Sequence, residues 1–146
     1  MTTLIYASSQ ECEIAFYRAF DAADLAAMMA VWVEEDDIVC VHPGGPRLIG
    51  IEAVRESWRQ IFASGPGLRV RPTQPLVTST LQTAIHTLHE KLSAPGEARP
   101  FVPMIATNVY LRTERGWRLQ LHHASPAPDH PPTGDIPDAG RPPILH

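Results

Sequence analysis

The sequence of 146 residues lacks most of the features that assign a chain to a class at once. Its only cysteines, Cys12 and Cys40, are too few for a disulfide framework or a zinc knuckle, and we expect buried free thiols. It has a single lysine and no basic stripe interleaved with aromatic residues, so nucleic acid is not an expected partner. No apolar run reaches the roughly 18 residues of a membrane span, and the first residues lack the pattern of a secretory signal. These absences predict a cytoplasmic protein without a membrane partner.

Motifs for covalent or nucleotide chemistry are also missing. The sequence contains no G-x-S-x-G, Walker or dinucleotide-binding motif, and neither cysteine lies in a catalytic motif. His86 and His89 look like a metal pair, but a spacing of three residues sends two strand side chains to opposite faces. The sequence therefore predicts neither a cofactor nor a metal site.

The proline distribution divides the chain. A chain of this length can bury roughly 70% of its unfolded surface, which is enough for one globular core. Of its 15 prolines, none precedes Pro43 and seven follow Ser125. We therefore predict a globular domain at residues 1–126 and a proline-rich, extended tail at residues 127–146.

Helix signals lie in the N-terminal half. Ser8 and Glu11 form a capping box, after which the apolar residues repeat at helical spacing to about Phe20. Asp24 is a candidate N-cap for a second, short helix, and residues 51–64 have the pattern of a third.

Strand signals follow the helices. We predict strands at residues 33–41, 47–50, 68–78, 82–92, 101–113 and 117–125. Pro72 and Pro75 require the strand at 68–78 to be an edge strand or to carry a bulge. Helices followed by sequential strands predict an α+β fold, with the helices on one face of a curled sheet.

Three segments carry a resemblance to a known family. They are WVEEDDIVCVHPGG at 32–45, LIGIEAVRESW at 48–58, and ATNVY at 106–110 followed by GWR at 116–118 and HHASP at 122–126. Over about residues 8–126 the chain resembles the SnoaL-like branch of the nuclear transport factor 2-like superfamily. The resemblance implies a cone-shaped, curved antiparallel sheet around a cavity closed by three helices, a cystatin-like roll that usually forms a homodimer through the sheet. Ketosteroid isomerases, scytalone dehydratase, polyketide cyclases and a kinase association domain share it, so the fold does not set the function.

Enzymes of this superfamily place an acid or a base in an apolar cavity, and three residues are candidates for that role. Asp37 shares its strand parity with Val39 and Val41, and can point inward or lie in a solvated acidic turn. His42 can pair with Asp37 or cap the turn that follows it. His123 follows apolar residues of equal parity into the interior, as a catalytic group or as a core histidine, while His122 should face solvent or a partner.

Candidate ligand contacts are aromatic or amide side chains at the ends and centres of elements. They are Trp32, Trp58, Phe62, Asn108 and Tyr110. The aromatic residues can equally be core, and Asn108 can cross-link strands instead. Glu90 is either a buried carboxyl group or an edge-strand charge.

Two functions are compatible with these patterns. The first is a small-molecule-binding domain whose hydrophobic cavity takes an apolar or aromatic ligand, with cofactor-free acid/base chemistry of an isomerase, dehydratase or cyclase. The alternative is a non-enzymatic association module resembling the association domain of calmodulin-dependent kinase.

Overall fold

The structure is a computed structural model that describes residues 5–63, 68–93 and 102–128. In chain order the elements are α1 (Ser9–Ala22), α2 (Leu25–Ala30), β1 (Val39–Val41), β2 (Arg47–Ile49), α3 (Ile51–Ala63), β3 (Arg69–Ser79), β4 (Thr83–Ser93), β5 (Val102–Thr113) and β6 (Gly116–Pro126). The strands form one six-stranded sheet in the order β2-β1-β6-β5-β4-β3. All neighbours are antiparallel except β1 and β6, which are parallel. The predicted α+β fold of three helices and a curved sheet is confirmed.

Side-chain caps define where the first two helices begin. Ser8 Oγ accepts a hydrogen bond from the backbone N–H of Glu11 at 3.1 Å, and Asp24 Oδ1 accepts one from Ala27 at 3.0 Å. Each cap satisfies a backbone donor that the first helical turn leaves free. Both predicted N-caps are confirmed.

The sheet bends at two irregularities. In β3 the pairing with β4 shifts between Thr73 and Leu76, where Gln74 has a φ of 55°. β3 is also an edge strand of the sheet, so both alternatives that its prolines allowed are realised. In β6, Val109 of β5 pairs with Leu121 and Tyr110 pairs with Leu119, so Gln120 is an extra residue. Such bulges increase the local twist and re-aim the side chains that follow them.

The first strand is shorter than predicted, because residues 34–37 leave the sheet. The backbone N–H of Val33 donates to the carbonyl of Leu119 at 2.9 Å, and β1 rejoins β6 where Val39 pairs with Leu121. Between these contacts lie four consecutive acidic residues, all exposed. Adjacent carboxylates repel each other and lose hydration on burial, so the run stays in water.

The apolar core fills the space between the helices and the sheet. Its largest fully buried apolar side chains are Trp32, Trp58, Tyr110, Phe16, Met28, Ile38 and Leu119. In the described ranges no helix is long and apolar enough to cross a membrane. Of the predicted tail at 127–146, only the first two residues lie within the described part of the chain.

Candidate functional site

The three predicted catalytic residues are not brought together. Asp37 is exposed in the acidic loop, so of its two alternatives the solvated turn is the one that the structure shows, and Asp37 does not point inward. His42 contacts Ser57 of α3, with 2.9 Å between Nε2 and Oγ. Since the Ser57 hydroxyl donates to the carbonyl of Val54, the His42 ring N–H donates to Ser57. Burial lowers the pKa of His42 to about 4, so the ring is neutral at pH 7.

The predicted orientations of the two neighbouring histidines are reversed. His123 is exposed and His122 is buried, with 1% of its surface accessible. Simple alternation from Leu119 would place His123 inside, but the bulge at Gln120 inserts one residue and moves every later side chain to the opposite face. His122 therefore occupies the interior position that the sequence assigned to His123.

The predicted aromatic contacts belong to the core. Trp32 and Trp58 are fully buried, and Trp58 packs edge-on against Phe16, with 5.8 Å between ring centroids. Phe62 is half-buried beside Trp58. The core alternative is thus the one that the packing of these side chains favours.

A group of buried polar side chains lies between α1 and the sheet, and we name it the polar cluster. It consists of Glu13 and Tyr17 of α1, His86 and Glu90 of β4, Asn108 and Tyr110 of β5, and His122 of β6. On β4 and β5 its members share parity with the buried Ala84, Leu88 and Ala106, so regular alternation turns them inward. On α1, Glu13 and Tyr17 are four residues apart and therefore lie on one face.

Glu13 is the anionic group of the polar cluster. Its Oε1 accepts hydrogen bonds from the Tyr110 hydroxyl at 2.7 Å and from Asn108 Nδ2 at 3.1 Å. Its Oε2 lies 3.0 Å from His86 Nδ1. Burial favours the neutral acid, but the contacts with His86, Tyr110 and Asn108 outweigh it and lower the pKa of Glu13. Glu13 is therefore a carboxylate at neutral pH.

Glu90 is more deeply buried than Glu13, and its pKa is raised where that of Glu13 is lowered. Burial raises its pKa to about 7, although a hydrogen bond from the Tyr17 hydroxyl, 2.6 Å from Oε2, acts in the other direction. The charge of Glu13 adds to the increase. Two carboxyl groups in one cluster thus differ in protonation, which is the pattern that separates acids from bases in active sites.

Asn108 joins these two groups. Its Nδ2 donates to Glu13 Oε1 and, at 3.0 Å, to the Tyr17 hydroxyl. Its Oδ1 lies 2.6 Å from His122 Nδ1, which must be the donor because an amide oxygen only accepts. Burial, followed by the nearby His42 and His123, lowers the pKa of His122 to about 3, so its Nε2 is unprotonated. All the hydrogen-bonding groups of the Asn108 side chain are thereby used.

A cleft of about 710 Å³ opens beside the polar cluster, between α1 and the β3–β4 ribbon. We call it the α1–β3 cleft. Its polar floor includes Glu13, Tyr17 and His86. Its walls are mainly apolar, and include Ile14, Ala22, Val70, Pro72, Pro75, Val77 and Leu88. An apolar cleft with a few convergent polar groups has the composition of a small-molecule site.

Some residues of the polar cluster can be recognised from sequence patterns, and others cannot. The inward parity of His86, Glu90 and Asn108 follows from their spacing to Ala84 and Ala106. The role of Glu13 and Tyr17 has no local signal, because polar residues beside an apolar helical stripe usually face water. Their partners come from β4 and β5, which lie more than 70 residues further along the chain.

Thiol and metal chemistry have no support in the described part of the chain. Cys12 and Cys40 are free and buried, as predicted, and burial raises the pKa of each to about 12. Neither thiol is therefore a nucleophilic thiolate at neutral pH. Among the described residues, no three histidine, cysteine or acidic side chains are grouped closely enough to hold a metal ion.

A curved sheet carrying three helices on one face defines the class of nuclear transport factor 2-like folds, and comparisons identify the branch. The sequence profile of the SnoaL-like domain matches residues 11–129, and the chain belongs to this family. No match was found among the curated proteins.

Several solved structures are similar to this chain over most of their own length. A proposed calcium/calmodulin-dependent protein kinase type II association domain from Thiobacillus denitrificans is 36% identical, with a TM-score of 0.81, over 86% of this chain and 99% of that one. A proposed dehydratase of the NTF2-like family from Streptomyces avermitilis is 30% identical, with a TM-score of 0.73, over 82% and 93%. A protein of unknown function with a cystatin-like fold from Nostoc punctiforme has a TM-score of 0.71 at 14% identity, over 84% and 91%.

Proposed function

We propose that the protein binds a small, largely apolar molecule in the α1–β3 cleft and transfers a proton to or from it without a cofactor, with Glu13 as the proton acceptor. The observation that carries the proposal is an ionised, partly buried carboxylate at the floor of an apolar cleft. General-base catalysis by a positioned side chain contributes roughly 10²–10⁴-fold. This assignment replaces Asp37, His42 and His123.

The reaction class that fits is proton abstraction next to a carbonyl group. A carboxylate oxygen of Glu13 takes the proton of the ligand C–H bond, and the electron pair of that bond moves onto the carbonyl oxygen to give an enolate. Return of the proton from Glu13 to a different carbon gives an isomer. Where the ligand has a β-hydroxyl group, the enolate electrons form a C=C bond as the C–O bond breaks, and the hydroxyl takes the proton from Glu13 and leaves as water. The similarity to a proposed NTF2-like dehydratase is compatible with this class.

The location of the ligand is tested first. We use 2-tetralone, an uncharged aromatic ketone with an acidic C–H bond, and measure its binding by thermal shift and calorimetry. Ile14→Trp places an indole in the α1–β3 cleft from a half-exposed position and should abolish binding. Leu81→Trp adds the same group in the turn before β4, at a residue that is 77% exposed, and should bind like wild type. Equal loss in both variants, or loss in neither, would place the ligand elsewhere.

Proton transfer is tested next by the exchange of the C–H protons of 2-tetralone for solvent deuterium, followed by proton NMR. Wild type should accelerate the exchange, and Glu13→Gln should lose roughly 10²–10⁴ of that rate. Glu35→Gln, a change at an exposed acid in the loop, should retain it. Retention of the rate in Glu13→Gln would rule out this carboxylate as the base.

A second candidate function, self-association, is favoured by a row of apolar side chains across the outer face of the sheet. Ile85, Val109, Leu121, Val39 and Ile49 are consecutive pairing partners on β4, β5, β6, β1 and β2. All five are at least partly exposed, with Ile85 at 42% and Ile49 at 52%. A contiguous apolar surface of this kind is a common feature of interfaces between protein subunits. The similarity to a proposed kinase association domain points in the same direction.

We propose that this row, the outer apolar row, packs against a second copy of the chain. Size-exclusion chromatography with light scattering should give a dimer for wild type and a monomer for Leu121→Glu. Leu81→Glu, which adds the same charge outside the row, should remain dimeric. A monomeric wild type at micromolar concentration would exclude this function and leave the cleft proposal intact.

A further inference from the structure

The Tyr17 hydroxyl lies where its O–H bond can point in either of two directions. Its oxygen lies 2.6 Å from Glu90 Oε2 and 3.0 Å from Asn108 Nδ2, and the Tyr17 side chain also lines the α1–β3 cleft. A phenolic oxygen carries one proton and accepts hydrogen bonds through its lone pairs. Asn108 always donates to it, since the other amide atom is held by His122. The direction of the Tyr17 proton therefore depends on Glu90.

With Glu90 ionised, its carboxylate is only an acceptor, and the Tyr17 proton must lie on the Glu90 side. With Glu90 neutral, the Glu90 O–H can donate to Tyr17 across the same 2.6 Å contact. Two donors, Glu90 and Asn108, then use both lone-pair directions of the phenolic oxygen. The Tyr17 proton is left with the remaining direction, on a side chain that lines the α1–β3 cleft.

We propose that Glu90 is a positioning residue that directs the Tyr17 hydroxyl: protonated Glu90 turns the Tyr17 proton into the α1–β3 cleft, and ionised Glu90 withdraws it. The consequence for ligands rests on the proposed function. In the first state the cleft offers a hydrogen-bond donor beside the Glu13 carboxylate, which matches a ligand with a carbonyl oxygen near an acidic C–H bond. In the second state the donor is lost while the acceptor remains.

In the contact between Glu90 and Tyr17, Glu90 is the group whose protonation changes near neutral pH, as the groups that face it from α1, β6 and β1 show. From α1 it meets Tyr17 and Glu13; burial raises the pKa of Tyr17 well above its ordinary value, and Glu13 is already ionised. From β6, His122 Nε2 lies 3.9 Å away and is neutral. From β1, Cys40 is a neutral thiol because burial raises its pKa to about 12.

The residues beside Glu90 on β4 and on the two neighbouring strands complete its surroundings. On β4 itself, His86 lies on the same face four residues earlier, and Lys91 is exposed on the other face. The residues paired with Glu90 are Pro72 of β3 and Met104 of β5, which do not titrate.

The test is an NMR titration that needs no ligand, so its failure is distinguishable from failure of the proposed function. Protein labelled with ¹³C at glutamate Cδ and tyrosine Cζ is titrated between pH 5 and 9. The Tyr17 Cζ resonance should show a step with the same midpoint as Glu90 Cδ, near pH 7. Tyr110, whose hydroxyl donates to the permanently ionised Glu13, is the internal control and should show no step.

Two variants keep the test decisive. Glu90→Gln should abolish the Tyr17 step, because the amide of glutamine donates to Tyr17 at every pH. Tyr17→Phe should move the Glu90 midpoint upward, since the Tyr17 hydrogen bond lowers that pKa. If Glu90→Gln fails to fold, the Tyr17→Phe titration decides alone. A flat Tyr17 resonance while Glu90 titrates, a step that persists in Glu90→Gln, or an unmoved midpoint in Tyr17→Phe would overturn the proposal.

Discussion

The buried carboxyl group of Glu90 makes a quantitative prediction about stability and pH. Burial raises its pKa from the ordinary 4.5 to about 7, so the folded state holds a proton that the unfolded state has released. The stabilising effect of that proton is complete below pH 4.5 and is lost as the pH rises to about 7. At about 1.4 kcal/mol per pH unit, over an interval of about 2.5 units, the loss is about 3 kcal/mol. That is a large fraction of the roughly 5–15 kcal/mol that stabilises a typical domain.

Glu90→Gln isolates this contribution. Glutamine keeps the size of the side chain and its ability to bond with Tyr17, but it cannot ionise. As the pH rises from 4.5 to 8, the free energy of unfolding of the variant should therefore increase by about 3 kcal/mol relative to that of wild type. Taking the difference between the two proteins removes the contributions to stability that both share. Glu13 does not interfere, because its lowered pKa affects stability only as the pH falls below 4.5.

The assay is urea unfolding followed by circular dichroism at half-unit steps of pH, with the two proteins measured in the same buffers. Wild type and variant curves that run parallel from pH 4.5 to 8 would show that Glu90 has an ordinary pKa. The polar cluster would then not contain the protonated carboxyl group on which the Tyr17 proposal depends.

Three further predictions concern single residues. Gly116 has a φ of 86°, and a Cβ there would lie 2.7 Å from the Tyr6 carbonyl oxygen. Gly116→Ala should therefore lower the free energy of unfolding by about 1–3 kcal/mol, measured by thermal melting. Gly44→Ala is the control, because Gly44 has a φ of 76° but no atom within 4 Å of the added Cβ, and it should cost clearly less in the same assay. Asp24→Ala removes the α2 cap and should cost about 1 kcal/mol by urea unfolding, and an unchanged midpoint would contradict the role of that hydrogen bond. His42 has its pKa lowered to about 4, so the fold excludes a proton that the unfolded chain binds below pH 6.5. The contribution of His42 to stability should thus fall on acidification from 6.5 to about 4. In His42→Gln the free energy of unfolding should therefore decrease less steeply over this interval than in wild type, by the equivalent of about one proton.

The helix starts, the edge strand and the inward-facing strand residues could be predicted from the sequence, because each depends on residues that are close together in the chain. The caps at Ser8 and Asp24 follow from side chains that can reach free backbone N–H groups. The edge position of β3 follows from Pro72 and Pro75, which cannot donate to a neighbouring strand. Inward parity on β4 and β5 follows from regular pleating, and it is why Asn108 could be recognised as a buried polar group that needs partners.

The parts that could not be predicted depend on contacts between distant elements. The bulge at Gln120 lies opposite the point where the acidic loop leaves the sheet, and nothing in the sequence around His122 marks it. One inserted residue is enough to exchange the positions of His122 and His123. The partnership of Glu13 and Tyr17 with strand residues likewise appears only once α1 packs across the sheet.

The central claim, that the α1–β3 cleft is the ligand site, is tested most directly by amide NMR of the labelled protein during addition of 2-tetralone. Saturable shifts should be concentrated on the residues that line the cleft, around Ile14, Val77 and Leu88, and should disappear in Ile14→Trp while Leu81→Trp keeps them. Shifts confined to the outer apolar row, or no saturable shifts at all, would contradict it.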